Sequence, residues 1–204
     1  MGMRIAVQTV PPWFVGGARH FTAGVLLFAF AALVLRQRPS WEQIKTGFMC
    51  GLLLVALGNG PVVWAEQTIP SSTAAFLVSA MPIWLAVIDF VWFGIRPAPA
   101  GIVGLVLGLV GVFVLVYDVH QRSAALFPAL VCLAASIAWA FGTLYQRQSR
   151  GSDQVFTVTG LQMLFGGAIL LVTSALSGEF AHVHAASFPQ PTIGAFVLLI
   201  FGGS

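Results

Sequence analysis

Apolar stretches about 20 residues long recur through this chain, and they constrain its fold more than any other feature. Residues 13–35 are interrupted only by Arg19 and His20. Residues 46–65 carry no charge, 71–94 carry only Asp89, and 97–117, 124–145 and 155–176 carry none. A helix needs roughly 20 apolar residues to cross the hydrocarbon core of a bilayer. The connections are short and hold the turn signals Arg38-Pro39-Ser40, Ile69-Pro70-Ser71, Arg96-Pro97 and Pro189-Gln190-Pro191. The runs lack the polar–apolar alternation of a transmembrane β-barrel. A seventh run, 193–204, stops at Ser204; as helix it measures at most about 18 Å, too little for a core near 30 Å. The fold class is therefore an all-α polytopic membrane protein, with six full transmembrane helices and a partial seventh.

Composition agrees and removes other classes. Of the 204 residues 58% are hydrophobic and only 7% charged, against about 25% charged in soluble domains. Disorder would need the reverse balance. Nine Lys and Arg against six Asp and Glu form no dense cluster, so nucleic acid is not an expected partner. Cys50 and Cys132 lie within apolar runs and provide neither a disulfide framework nor a metal spacing. No cofactor motif is present. Residues 1–12 lack the apolar core and cleavage site of a signal peptide.

Charge in alternate loops sets the orientation. Arg36, Arg38, Lys45, Arg96, Arg147 and Arg150 fall on one side, Arg4 and Arg122 on the other. The six-charge side, with loops 36–46, 94–99 and 146–154, is expected to be cytoplasmic. The first span then runs inward from outside. This arrangement and the short seventh run lead us to read the chain as a piece of a larger protein, with a further helix before Met1.

An internal repeat is also visible. Arg19-His20-Phe21-Thr22-Ala23-Gly24-Val25-Leu26-Leu27 aligns without gaps on Gln162-Met163-Leu164-Phe165-Gly166-Gly167-Ala168-Ile169-Leu170. In each, a polar residue is followed five positions later by Gly and then by aliphatic residues. The two spans are five helices apart and cross in opposite directions, as in the inverted repeats of secondary transporters.

Four stretches carry a family likeness: Pro11-Pro12 with Gly17-Ala18-Arg19-His20-Phe21-Thr22-Ala23-Gly24; Gly58-Asn59-Gly60 with Ala65-Glu66; residues 71–82, ending Ser79-Ala80-Met81-Pro82; and the Gly- and Val-rich residues 101–116. A fifth, Ser136-Ile137-Ala138-Trp139-Ala140-Phe141-Gly142, is similar to the opening helix of a second repeat. In order and spacing these resemble the EamA family of the drug/metabolite transporter superfamily, especially its YedA-like branch of inner-membrane exporters. The resemblance implies a ten-helix bundle of two inverted five-helix repeats. Residues 1–117 would then be a first repeat lacking its first helix, and 124–204 an incomplete second one.

Arg19 is the most informative side chain, since a charge within a span is costly and tends to be functional. It lies six residues after Trp13, about 9 Å along a helix. It either snorkels or fixes packing, or it faces a central cavity and attracts an anionic group. Asn59 lies in Gly58-Asn59-Gly60-Pro61, where proline removes a donor and freed carbonyls can line a cavity. It reads as a packing kink or as a substrate contact. Ser79 reaches a similar depth, with a bond to its own helix as the alternative. Trp139 is too deep for an interfacial belt and would wall the cavity. Glu66 is either a helix-end acid or an outer-gate partner of Arg19 or a proton carrier. Asp89 is either a proton-coupling acid or the salt-bridge partner of Arg96. Gly101, Gly104, Gly108 and Gly111 form one helix stripe, suited to close packing within the protein or to homodimerisation. His182 and His184 read as part of a solvated outer loop.

Three functions compete. A secondary transporter exporting a small polar metabolite or drug-like solute fits the repeat and the family. A membrane-embedded enzyme acting on lipid would want clustered acids or His near an interface, and Glu42 and Asp153 lie far apart. The third is a non-transporting structural subunit. The expected partners are a small-molecule solute and the lipid bilayer.

Overall fold

The computed structural model describes residues 11–96, 98–120, 126–149 and 154–179. Among these the fold is helical: α1 (Pro12–Leu33), α2 (Trp41–Cys50), a π-helical stretch (Gly51–Asn59), α3 (Gly60–Ala65), α4 (Ser71–Val78), α5 (Met81–Phe93), α6 (Pro99–His120), α7 (Leu126–Gln148) and α8 (Val155–Leu176). Five segments are long and apolar enough to cross a membrane: Pro12–Leu33, Trp41–Ala65, Ser71–Phe93, Leu126–Gln148 and Val155–Leu176. The run expected at 97–117 forms the 22-residue helix α6. The seventh run, Arg4, Arg122, Arg150, His182 and His184 lie outside the described residues.

Local chemistry sets the helix ends. Pro11-Pro12 starts α1 where missing donors cost nothing. The second span begins at Trp41 rather than at 46, because Ser40 and Gln43 form a capping box. Gln43 N donates to Ser40 Oγ at 3.3 Å and Ser40 N to Gln43 Oε1 at 2.8 Å, satisfying two end donors. The third span turns through Ser79 and Ala80, with Pro82 in the first turn of α5. Gly94, at φ 65°, closes α5, a left-handed conformation that glycine adopts without strain.

The tightest packing joins α1 to α8, and backbone meets backbone there. A Cβ on Gly24 would lie 2.5 Å from Leu164 N and 3.0 Å from Gly160 O; one on Gly17 would lie 2.8 Å from Leu171 N and 3.1 Å from Gly167 O. From the other side, a Cβ on Gly167 would meet Phe21 N at 2.4 Å, and one on Gly160 would meet Phe28 N at 2.9 Å. Small residues permit such an approach where lipid supplies no hydrophobic drive between helices. The helices run antiparallel, with edge-on Phe30 and Phe156 rings 5.9 Å apart near one end. At the other end Phe14 N donates to Glu179 Oε2 at 3.1 Å. Glu179 also accepts from Ser174 Oγ at 2.9 Å, so an acid past α8 caps the start of α1, where negative charge is favoured.

The fifth span, α7, packs on the second and third. Gly142 meets the Leu54 side chain, and Trp84 Nε1 donates to Ser136 Oγ at 2.8 Å. Ala65, Ile69, Ala74, Leu77, Ala129 and Cys132 form one buried cluster along these contacts.

Candidate functional site

Helix α1 and the second span bring Arg19 and Asn59 together. Arg19 is 3% exposed and its neighbour His20 4%. Arg19 Nη2 donates to Asn59 Oδ1 at 3.4 Å and lies 3.2 Å from His20 Nε2. His20 Nδ1 is 2.8 Å from the Gly16 carbonyl oxygen. A carbonyl only accepts, so Nδ1 carries the proton and Nε2 is left to accept from Arg19. Helix geometry thus fixes the tautomer, and the tautomer orients the guanidinium. The sequence reading singled out Arg19 and Asn59 but gave His20 no role. The adjacent Arg and His within one apolar run were the signal that could have found it.

The helix around Asn59 does not break as Gly58-Asn59-Gly60-Pro61 suggested. It widens to π winding over Gly51–Asn59 and resumes α winding at Gly60, whose N–H reaches back to Val55 O. Pro61 has no N–H to give, and a wider turn accommodates its ring while the helix stays continuous. Trp13 and Leu170 pack over Gly60, where a Cβ would come within 2.8 Å of Trp13 Cζ3. Trp13 thus helps to cover this layer. Trp139 lies against Gly58, with Cγ and Cδ2 each 3.6 Å from the position of a Cβ there. Arg19, His20, Asn59 and Trp139 thus lie on or beside the same turn of the second span.

Ser79 stands apart. Its hydroxyl donates to the Phe76 carbonyl of its own helix at 2.5 Å, and it lines a different cavity together with Gly101, Gly104 and Gly108. That glycine stripe is only partly packed. A Cβ on Gly104 would meet nothing within 4 Å, whereas one on Gly111 would meet Phe76 Cζ at 3.0 Å.

Glu66 caps the end of α3. Burial raises its pKa above the ordinary carboxylate value, while the nearby Arg19 charge and Ser71 act in the opposite sense. Neither Glu66 Oε2 nor Ser71 Oγ reaches hydrogen-bond geometry; their influence is electrostatic. Asp89 does not pair with Arg96. It receives a two-pronged bond from Arg147, with Nη1 to Oδ2 at 3.2 Å and Nη2 to Oδ1 at 2.5 Å. Arg147, expected in a loop, lies in the last turn of α7 and so joins the third span to the fifth. Beside this pair Trp92 and Phe141 stack edge to face at 5.6 Å. No group of three or more His, Cys, Asp or Glu that could hold a metal ion occurs among the described residues.

A comparison with known families matches residues 1–117 to the EamA-like transporter family. The "Uncharacterized inner membrane transporter YedA" of Escherichia coli (strain K12) is 35% identical over 179 residues, covering 87% of this chain and 57% of the relative. The "Uncharacterized transporter YvbV" of Bacillus subtilis (strain 168) is 22% identical over 88% of this chain and 59% of its own length. An S-adenosylmethionine/S-adenosylhomocysteine transporter of Chlamydia trachomatis is 28% identical over 84% of this chain and 56% of its own length. The chain thus spans rather more than half the length of these relatives. No solved structure matches it.

Proposed function

The chain belongs to the EamA-like transporter family, and from that premise we propose that it forms part of a secondary-active transporter that exports a small polar metabolite or drug-like solute by alternating access. It is a multi-pass protein of the inner (plasma) membrane, where its YedA relative resides. One observation carries the site: Arg19, buried within a span, bonds to Asn59 of the next span. A guanidinium held in low dielectric is a directional anchor for an anionic or strongly polar group. In this reading Arg19 binds the solute, His20 and Asn59 aim the guanidinium, and Trp139 supplies an apolar wall. The relative named for S-adenosylmethionine transport supports a charged small-molecule cargo.

The ten-helix architecture of two inverted repeats draws support from the internal alignment and from the α1–α8 contact, in which the two aligned segments pack antiparallel, Gly24 against Leu164 and Gly167 against Phe21. Asp89, through Arg147, acts as an inner gate. Glu66, coupled electrostatically to Arg19, acts as an outer gate or proton carrier.

The test uses membrane vesicles from cells expressing the complete protein, with empty-vector vesicles as control. Arg19→Gln and Asn59→Leu should each abolish solute export while membrane abundance stays near wild type. Failure of either variant to accumulate would make that residue structural. Normal export by both would remove the pair from the pathway.

A further inference from the structure

Helices α5 and α6 do not close on one another. Two adjoining cavities of about 480 and 410 Å³ lie between them and share Ala86 and Leu105. The larger begins at Ser79 and runs over Gly104, and the smaller ends at Arg96. Among the described residues, the polar side chains that line the groove stand at its two ends. Ser79 already bonds to its own helix. Arg96 is exposed and forms no hydrogen bond or ion pair among the described residues.

The surroundings narrow the occupant. The groove lies between two apolar helices, and Val87, Phe90 and Ile102 along it are about half exposed, at 48%, 52% and 48%. In a bilayer such a groove opens onto hydrocarbon. Water needs two or more polar partners to stay in a cavity, and between Ser79 and Arg96 the described lining residues offer no polar side chain. A void would forfeit dispersion contacts along its whole lining. An acyl chain meets neither objection. From Gly94 to Ile83, α5 rises about 16 Å, close to one leaflet of a core near 30 Å. Arg96 follows Gly94 on the side assigned to the cytoplasm by loop charge. A cation at that level attracts anionic headgroups.

We propose that the α5–α6 groove binds one anionic phospholipid of the cytoplasmic leaflet, with the headgroup on Arg96 and an acyl chain along Ala86 and Leu105 over Gly104. The protein, purified in mild detergent, would be titrated with phosphatidylglycerol or phosphatidylcholine, and bound lipid counted by native mass spectrometry. One phosphatidylglycerol should be retained in preference to phosphatidylcholine. Arg96→Gln should weaken that retention about fivefold, the effect of one interfacial cation. Gly104→Leu should abolish it, because its side chain fills space in which a Cβ meets nothing within 4 Å. Equal retention of both lipids, or retention unchanged by Gly104→Leu, would overturn the site. So would a Gly104→Cys variant that cross-links to a second copy or to another segment of the protein. If Gly104→Leu does not fold, a Leu105→Trp reporter decides: brominated phosphatidylglycerol must quench it more strongly than brominated phosphatidylcholine. None of these measurements needs a transported solute, so failure here is separate from failure of the transport reading.

Discussion

Gly24 and Gly104 are both helical glycines in apolar spans, yet replacing each with alanine should shift stability in opposite directions. A Cβ on Gly24 would lie 2.5 Å from Leu164 N, 2.9 Å from Met163 C and 3.0 Å from Gly160 O. All three are backbone atoms, so no side-chain rotamer relieves the clash, and α1 and α8 must move apart. Overpacking of this kind costs about 1–3 kcal/mol. The helix preference for Ala over Gly returns about 0.5–1 kcal/mol, leaving Gly24→Ala destabilised by up to about 2.5 kcal/mol. A Cβ on Gly104 meets nothing within 4 Å, so only the helix preference remains and Gly104→Ala should be stabilised by about 0.5–1 kcal/mol. Equilibrium unfolding in mixed micelles, as SDS is titrated into a mild detergent, reads both shifts. The double variant Gly24→Ala/Gly160→Ala adds a check. Both glycines serve one contact, so a single separation of the helices relieves both and the combined loss falls short of the sum. If Gly24→Ala raises the midpoint as Gly104→Ala does, the close α1–α8 approach is refuted.

Other expectations are direct. A cysteine introduced at Ser40, in a background lacking Cys50 and Cys132, should resist a membrane-impermeant thiol reagent in intact cells and react once the membrane is permeabilised; labelling in intact cells would invert the topology. The native Cys50 and Cys132, both 0% exposed, should stay unlabelled in the folded protein and react only after denaturation. Arg147→Asp should lower the unfolding midpoint, and the exchanged pair Asp89→Arg/Arg147→Asp should recover part of it; no recovery would mean that the two-pronged bond does not tie α5 to α7. Burial raises the pKa of Glu66, so its neutral form is the better fitted to the fold. The stability linked to it is present at low pH and is lost as pH rises through the raised folded pKa. Glu66→Gln should flatten the pH dependence of the unfolding midpoint above the ordinary carboxylate range.

Much of this molecule is legible along the chain. Whether a segment enters a bilayer depends on a sum over its own residues, so the spans 13–35, 71–94 and 155–176 correspond closely to Pro12–Leu33, Ser71–Phe93 and Val155–Leu176. Depth is local too: six residues from Trp13 to Arg19 and six from Asn59 to Ala65 put the two polar groups on one level, where they bond. Lateral partners were not legible. Arg147 rather than Arg96 meets Asp89, Glu179 caps α1, and the close glycine contacts belong to Gly17, Gly24, Gly160 and Gly167 rather than to the stripe on α6. These depend on how each helix is rotated about its axis and on which neighbour stands beside it. A helix in water declares its buried face by an apolar stripe. A helix in lipid is apolar all round, and burying a Leu against a protein neighbour gains little over leaving it in hydrocarbon. Facing is therefore decided by close backbone contact and by the few polar bonds between spans, and both exist only once the helices have assembled.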